Sequence, residues 1–321
     1  MGTFRHLIEA LDAEGAAALV TLVGVRGSSP REAGARMVVR PSGAFRGTIG
    51  GGTLEYEAIA EARRALAEGR GPAICRRALL GPDFGQCCGG RVDWLIETFD
   101  ARDLAALASL AGHAAPMGTL ARLDADGRYA RAPCQARHPA SAAERLPDGS
   151  LSETFGEAAT PVLLFGAGHV GRALALALAP LPFALRWIDS RPDAFPAYAP
   201  ANATRVHAQN PVCELEGAPD AALVLVMTHS HGLDFDLVLA ALSARRFGYV
   251  GLIGSQTKRA RFVSRLRAAA LDDNATAALV CPIGVAGVAG KAPAVIAAAT
   301  VAQLLMRRER RDRKNLAPVR T

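Results

Sequence analysis

The sequence lacks an uninterrupted apolar run of about 18 residues, the length that a membrane-spanning helix needs. Its opening stretch, MGTFRHLIEALDAEG, has the spacing of an amphipathic helix, not the charged start, apolar run and cleavage site of a signal peptide. The six cysteines are scattered and show no disulfide-scaffold spacing. These absences predict a cytoplasmic protein with free thiols and no membrane partner.

Aromatic residues are also scarce, at 5% of the chain, and no basic stripe alternates with them. A net charge of +7 raises the question of nucleic acid, because clustered Lys and Arg neutralise phosphates. However, the densest basic run, MRRERRDRKNLAPVR, has acidic residues interleaved. We therefore expect no nucleic-acid partner, while a smaller anion such as a phosphorylated cofactor remains open.

The length of 321 residues favours about two domains. The second half alternates strand and helix patterns, which is typical of a doubly wound parallel sheet. We expect an α/β protein: an N-terminal α+β domain with a mixed sheet, then a Rossmann-like doubly wound sheet. The predicted parts are the N-terminal domain at 1–112, a hairpin and linker at 113–158, the Rossmann-like domain at 159–306 and a basic tail at 307–321.

The stretch PVLLFGAGHVGRALALAL places Gly166, Gly168 and Gly171 between an apolar strand and an apolar helix. A second predicted strand ends in Asp189, eighteen residues after the last of these glycines. This is the dinucleotide fingerprint, in which glycines admit a pyrophosphate at a helix N-terminus and the acid accepts from a ribose hydroxyl. The alternative is that the glycines only serve the turn between strand and helix.

The stretch MTHSHGLDFD places His229 and His231 just past a predicted strand, at the edge where doubly wound sheets bind ligands. We expect these imidazoles to contact a ligand. With Asp234 they could hold a metal or serve as acid and base, but no third ligand has metal-site spacing. The alternative is an ordinary polar loop before a helix.

Two further loops fall at the same predicted edge. In GLIGSQTKRARF, a helix N-terminus with Lys258 and Arg259 either receives an anion or is a capped, solvated helix start. In CPIGVAGVAGKAP, Cys281 is equally well explained as a buried apolar residue and as a ligand.

The stretch FGQCCGG places Cys87 and Cys88 side by side before Gly89 and Gly90. Adjacent cysteines do not easily form a disulfide with each other, and no further zinc ligands lie nearby in the sequence. A thiol in a glycine loop suits an activated nucleophile or a soft metal ligand. The alternative is two incidental cysteines that pack under the loop.

Seven blocks of the sequence together resemble the xanthine dehydrogenase accessory proteins of the XdhC type. The resemblance spans roughly 5–110 and 158–306 and is carried by GVRGSSPREAGARMVV, GTIGGGTLEYEAI, GQCCGGRV, LLFGAGHVG, THSHGLDFDLVLAAL, YVGLIGSQTKRARF and CPIGVAGVAGKAPAVIAAATVAQLL. It implies a cytoplasmic homodimer that binds molybdenum cofactor (molybdopterin). It also implies two partners, a cysteine desulfurase that supplies the sulfido ligand and the apo-xanthine dehydrogenase that receives the cofactor.

The resemblance also implies site residues. The family's Cys-Gly-Gly block falls on Cys88, Gly89 and Gly90, so Cys87 or Cys88 is expected to contact molybdenum. The remaining candidates are the three glycines of the triple-glycine turn and three polar residues that could hold pterin edges or phosphate: Gly50, Gly51, Gly52, Ser28, Ser29 and Arg31. A helix start after the glycine turn would suit the cofactor's phosphate.

Two other functions remain open on sequence alone. The fingerprint by itself favours an NAD(P)-dependent oxidoreductase, in which the cysteine loop would have no role. The other is a sulfurtransferase or nucleotidyltransferase that acts on the cofactor, and a persulfide on Cys87 or Cys88 would favour the sulfurtransferase. The binding chaperone, which is not an enzyme, ranks ahead of both, and a nucleotide in the Rossmann-like domain remains open.

Overall fold

The computed structural model describes residues 2–81, 89–137 and 141–316, with the side chains of the last helix described as far as residue 312. The chain divides into two compact units, residues 1–158 (unit 1) and 159–321 (unit 2). Within the described ranges, no helix is both long enough and apolar enough to cross a membrane.

Unit 1 combines helices with antiparallel sheets. Its described elements are α1 (Thr3–Glu14), β1 (Ala16–Arg26), β2 (Arg36–Val39), β3 (Phe45–Gly47), α2 (Gly52–Glu68), β4 (Ile74–Leu79), β5 (Arg91–Asp100), α3 (Leu104–Ala111), β6 (Met117–Leu123), β7 (Tyr129–Cys134), β8 (Ala142–Arg145) and β9 (Leu151–Phe155).

The main sheet of unit 1 has five strands in the order β3-β2-β1-β5-β4. Each of its pairs is antiparallel, so the sheet is not mixed as the sequence suggested. The apolar face of α2, led by Leu54, packs on one side of the sheet against residues such as Trp94. On the other side α1 and α3 pack through Leu7 and Leu107. The central strands β1 and β5 are therefore buried between helices, whereas the edge strands β3 and β4 are largely exposed.

The segment expected as hairpin and linker contains a second sheet. The predicted hairpin is present as β6 and β7, with Asp126 and Gly127 in its turn, and β8 and β9 complete a four-stranded sheet in the order β7-β6-β9-β8. All five residues of β9 are buried. Unit 1 accordingly extends to residue 158 instead of ending near residue 112.

Unit 2 alternates strands and helices, as the sequence predicts. Its elements are β10 (Thr160–Phe165), α4 (His169–Leu178), β11 (Phe183–Asp189), β12 (Ala203–His207), β13 (Leu223–Val226), α5 (His231–Ala244), β14 (Tyr249–Leu252), α6 (Gln256–Ala268), α7 (Asp273–Ala277), β15 (Leu279–Val280) and α8 (Pro293–Leu316).

The six strands of unit 2 are all parallel and follow the order β12-β11-β10-β13-β14-β15. Helices α5 and α6 cover one face of the sheet, and α4 and α8 cover the other. The chain order reverses between β10 and β13, and the crevice outside such a switch point is where these sheets bind ligands. The Rossmann-like prediction is confirmed, and α8 continues through the predicted basic tail to Leu316.

Candidate functional site

In unit 1 the end of β1 and the start of β5 bring two of the predicted glycine blocks together. The two strands pair antiparallel, with Arg26 opposite Arg91. A Cβ atom at Gly90 would lie 2.1 Å from the carbonyl oxygen of Ser28, and one at Gly27 would lie 3.3 Å from the Cα of Gly90. Glycine is therefore required at residue 90 so that the loop of residues 27–30 (the Gly-Ser-Ser-Pro loop) can pass against it.

The same loop reaches the triple-glycine turn on its other side. A Cβ atom at Gly50 would lie 3.0 Å from Cγ of Pro30 and 3.8 Å from Cγ of Arg31. The structure thus places the loop that carries Ser28, Ser29 and Arg31 between Gly50 and Gly90. Three blocks that are far apart in the sequence form one surface.

The hydroxyl of Ser29 is the unusual polar group of this surface. Its Oγ atom is buried and has no hydrogen-bond partner in the part of the chain that the structure describes. A buried hydroxyl without a partner is costly, so such groups often mark a ligand or water position. Beside it, Pro30, Arg31, Glu32 and Arg36 help to line a cleft of about 540 Å³.

Glu55, which sequence reasoning missed, fixes the triple-glycine turn. Its Oε2 atom accepts from Thr48 Oγ1 at 2.6 Å, from the Ile49 N–H at 3.0 Å and from the Gly51 N–H at 3.3 Å. Glu55 lies in the first turn of α2, where the helix dipole favours an acid, and it reaches back to the Gly51 N–H just before the helix. The sequence has no Ser/Thr-x-x-Glu capping box at this point, so it contains no specific signal for the contact. The carboxylate already occupies part of the position proposed for a phosphate.

Cys87 and Cys88 lie outside the described residues, so their expected contact with molybdenum stays a prediction. The next residue, Gly89, is exposed, and no described atom beyond its chain neighbours lies within 4 Å of where its Cβ would be. Gly90 follows and accepts from the Leu80 N–H at 2.8 Å. The cysteine block therefore leads directly into the loop surface described above.

In unit 2 the fingerprint glycines have different surroundings. A Cβ atom at Gly166 would lie 2.3 Å from the Met227 carbonyl oxygen, and one at Gly171 would lie 2.1 Å from the Gly166 carbonyl oxygen. Close packing of strand and helix therefore explains these two glycines. At Gly168 no described atom lies within 4 Å of a Cβ position, which leaves space at the start of α4.

Asp189 is placed at the end of β11 as predicted, but its carboxylate is already fully hydrogen-bonded. Oδ2 accepts from the Ala167 N–H at 2.7 Å and from Arg191 Nη2 at 3.0 Å, while Oδ1 accepts from the backbone N–H and Nε of Arg191 at 3.0 Å. Burial alone would raise the pKa of Asp189, but these hydrogen bonds lower it. While Arg191 holds this position, the carboxylate has no acceptor position left for a ribose hydroxyl.

His229 and His231 are exposed and flank Ser230, which caps α5. The nearby acid, Asp234, is buried and accepts from Thr228 through Oδ1 and from Lys258 Nζ through Oδ2 at 2.7 Å. No group of three or more potential metal ligands exists among the described residues. The loop therefore presents its imidazoles outward from a fixed internal ion pair.

The same ion pair bears on whether Lys258, at the start of α6, is free to receive an anion. Lys258 donates to Asp234 and to the Ile253 carbonyl at 3.0 Å, so its ammonium is mostly engaged within the protein. Cys281 is buried, and burial raises the pKa of its thiol. That environment fits a packed thiol better than a reactive one.

Two family models match the chain. The XdhC and CoxI family model matches residues 10–76, and the XdhC Rossmann domain model matches residues 162–304. The matched ranges contain the Gly-Ser-Ser-Pro and triple-glycine blocks of unit 1 and the glycine and histidine loops of unit 2.

Two curated proteins of Escherichia coli (strain K12) are similar to parts of the chain. The uncharacterized protein YqeB is 28% identical over 295 residues, covering 90% of this chain and 43% of YqeB. The molybdenum cofactor insertion chaperone PaoD is 44% identical over 66 residues, covering 21% of each protein. The match thus spans less than half the length of either relative.

A crystal structure from Bacillus halodurans, described as a xanthine dehydrogenase, has the same fold. The TM-score is 0.74 at 21% sequence identity, and the match covers 97% of each chain. At this identity the likeness supports the fold and carries no information about activity.

Proposed function

From its membership of the XdhC family, to which the chain belongs, we propose that it is an accessory protein that binds molybdenum cofactor as cargo. A relative that acts as a molybdenum cofactor insertion chaperone supports this role. The finer proposal is that a cytoplasmic homodimer supports sulfuration of the cofactor by a cysteine desulfurase. The homodimer then delivers the cofactor to apo-xanthine dehydrogenase without catalysing a reaction of its own.

The observation that carries the proposal is the convergence of three blocks on one surface of unit 1. Gly90 and Gly50 lie against opposite sides of the loop that carries Ser29, whose buried hydroxyl has no partner among the described residues. The cargo combines a reduced pterin, a phosphate and a dithiolene-held molybdenum. We assign Ser28, Ser29 and Arg31 to pterin edges or phosphate, because hydroxyls and a guanidinium supply the donors that these groups need.

The two remaining parts of the cargo have separate candidates. Cys87 or Cys88 is assigned to molybdenum, because thiolates are soft ligands. The start of α2 is assigned to the phosphate through the N–H groups of Gly52 and the residues that follow it. Glu55 already takes the N–H groups of Ile49 and Gly51, so these two do not contribute.

The alternative function is an NAD(P)-dependent oxidoreductase, which the glycine fingerprint and the strand order of unit 2 favour. The filled carboxylate of Asp189 argues against it, because that acid would have to release Arg191 before it could accept from a ribose. Unit 2 remains a candidate for a phosphate or nucleotide through Gly168, whose Cβ position is open, with His229 and His231 at the same edge.

The first experiment measures cargo binding. Purified protein is mixed with released molybdenum cofactor, passed through gel filtration, and assayed for retained molybdenum and for the fluorescence of the oxidised pterin. Calorimetry with NAD is run in parallel. We expect about one cofactor per protomer and no heat from NAD.

The cysteines are tested with a matched pair of variants. Cys87→Ala/Cys88→Ala should lose most of the retained molybdenum, whereas Cys75→Ala/Cys134→Ala, which removes two exposed thiols elsewhere in unit 1, should retain it. Equal retention in both variants would end the thiol assignment. Heat from NAD without retained cofactor would replace the chaperone by the oxidoreductase, and a persulfide seen by mass spectrometry would favour a sulfurtransferase.

A further inference from the structure

The positive charge of the chain is concentrated in unit 2. Residues 159–321 contain 19 Lys and Arg against 11 Asp and Glu, whereas residues 1–158 contain 18 against 19. Helix α6 has the most one-sided composition, with five basic residues and no acidic one in its 13 residues. Such an imbalance acts on binding partners, because a surface of one sign attracts the opposite sign.

Part of the charge of α6 is arranged at a cost to the helix itself. Arg259 is a cation in the first turn, where the helix dipole favours anions, although Arg265 and Arg267 lie in the last turn, where it favours cations. Arg261 and Arg265 are four residues apart, so two like charges are neighbours on the surface. Among the described residues, Lys258 and Arg267 of α6 form ion pairs, whereas no described carboxylate pairs with Arg259, Arg261 or Arg265. An acidic partner would remove this repulsion.

The exposed side of α6 is also smooth. Phe262 and Leu266 are buried against the sheet, which leaves Ala260, Ser264 and Ala268 exposed at intervals of four residues. Small residues at this spacing form a shallow groove that lets another helix approach closely.

One of the arginines beside this groove is held in place. The guanidinium of Arg265 lies 3.8 Å from the centre of the Phe235 ring. A cation stacked in this way loses less side-chain freedom when it pairs with an incoming carboxylate.

We propose that the outer face of α6, formed by Ala260, Arg261, Ser264, Arg265 and Ala268, docks an acidic helical segment of the enzyme that receives the cofactor. The small residues accept the partner helix, and Arg261 and Arg265 pair with its carboxylates. The identity of the partner rests on the proposed function, whereas the chemistry of the occupant rests on the shape and charge of this face.

A protein partner fits this face better than a nucleic acid. Asp272 and Asp273 lie in the segment that follows α6, and Asp273 pairs with Arg267 of that helix, so a carboxylate borders the end of the cationic face. A phosphate backbone running past the end of the helix would meet those acids. No aromatic residue of α6 is exposed for base stacking, since its only one, Phe262, is buried.

The test uses the full chain and apo-xanthine dehydrogenase purified from a host that makes no molybdenum cofactor. Binding is measured by biolayer interferometry at low and high salt. We expect Arg261→Glu/Arg265→Glu to weaken binding about tenfold or more, because like charges would then face each other across the interface. Ser264→Trp, which keeps every charge, should weaken it similarly by blocking the groove.

The matched control is Arg307→Glu/Arg310→Glu, which makes the same change in net charge on α8, a helix on the other face of the sheet. It should bind as the wild type does. Equal loss in the two charge variants, full binding by Ser264→Trp, or no binding by the wild-type chain would each overturn the docking proposal. So would tighter binding to an oligouridine RNA than to the enzyme, with the same arginines required.

Cofactor retention by the same variants separates the two proposals. We expect the α6 variants to retain cofactor at the wild-type level while losing the enzyme. If the wild-type chain retains no cofactor but still binds the enzyme through α6, the proposed function fails and the docking face stands.

Discussion

Gly168 and Gly171 are three residues apart at the start of the same helix, yet their surroundings give them opposite roles. The site of a Cβ at Gly171 is occupied by the Gly166 carbonyl, whereas the site at Gly168 is open to described atoms. Gly168 also has a φ of −72°, which any residue can adopt. The folded chain thus requires glycine at residue 171 and has no structural need for it at residue 168.

This difference predicts unequal effects of two alanine substitutions. Gly171→Ala should destabilise the protein by about 1–3 kcal/mol, because the new methyl meets a backbone carbonyl that cannot move freely. Gly168→Ala should change the free energy of unfolding by less than about 1 kcal/mol, because restriction of the unfolded chain is opposed by the lower preference for Ala than for Gly at the N-cap of α4. Urea unfolding of the two variants measures both values, and a loss in Gly168→Ala as large as that in Gly171→Ala would contradict the account.

Asp189 shows how far sequence reasoning reaches at a single residue. The fingerprint spacing correctly predicts that it ends the second strand of unit 2 beside the glycine loop. The spacing cannot predict that Arg191 folds back and occupies two of its acceptor positions, because that depends on a side-chain conformation two residues away. The predicted position is confirmed, and the side chain of Arg191 determines whether a ligand can reach the carboxylate.

Strand β9 is fully buried although its sequence is polar and predicts part of a linker. Its residues, Leu-Ser-Glu-Thr-Phe, include a fully buried Glu153. Arg131 Nε donates to Glu153 at 2.8 Å and also forms two hydrogen bonds to Glu97, at 2.9 and 2.6 Å. Arg36 donates to the other oxygen of Glu153 at 3.4 Å. Two arginines and two glutamates therefore neutralise one another between the two sheets of unit 1.

Glu153 should make the stability of unit 1 depend on pH. Burial would raise its pKa, but the charges of Arg131 and Arg36 outweigh burial, and the pKa lies below the ordinary value of 4.5. A carboxyl whose pKa is lower in the folded than in the unfolded protein contributes its full stabilisation at pH values above the unfolded-state pKa. That contribution is lost as the pH falls through the folded-state pKa. The stabilisation should therefore be complete at neutral pH and decline below about pH 4.5.

Glu153→Gln tests this pH dependence. At neutral pH it should cost about 3 kcal/mol or more, because Arg36 loses its only carboxylate among the described residues. The difference in the free energy of unfolding between the variant and the wild type should decrease as pH falls below about 4.5, since the wild-type carboxylate is then protonated and uncharged like the amide. The exposed Glu144→Gln on β8 is the matched control and should follow the wild-type curve. If the difference in the free energy of unfolding between Glu153→Gln and the wild type stayed constant with pH, packing and not charge would account for the contribution of Glu153.

The same elements explain which parts of the fold the sequence could predict. Every strand and helix of unit 2 except α7 follows from the sequence pattern, because most of them bury an apolar face locally against the sheet and β12 continues the strand–helix alternation. Strands β8 and β9 do not, because their stability depends on Arg36 and Arg131, which lie 117 and 22 residues from Glu153 in the chain. A polar sequence with distant charge partners is indistinguishable from a linker when it is read alone.

The two units of the molecule differ in net charge and in the roles proposed for them. Unit 1 is close to neutral and contains the converging loops, whereas unit 2 carries the excess of cations and the proposed docking face. Each unit also has hydrophobic clusters of its own, with Leu22, Met37 and Trp94 in one and Phe165, Val226 and Leu242 in the other. Each has a size that is typical of an independent domain.

We therefore expect residues 1–158 and 159–321, expressed separately, to fold as cooperative units, which circular dichroism and thermal unfolding would show. At neutral pH the second fragment should bind a cation exchanger strongly and the first only weakly, because of their different charge counts. If the first fragment alone retains molybdenum cofactor, the loops of unit 1 are sufficient for the cargo. If it folds but retains none, the cargo needs residues of unit 2, and the open space at Gly168 becomes the place to look for its phosphate.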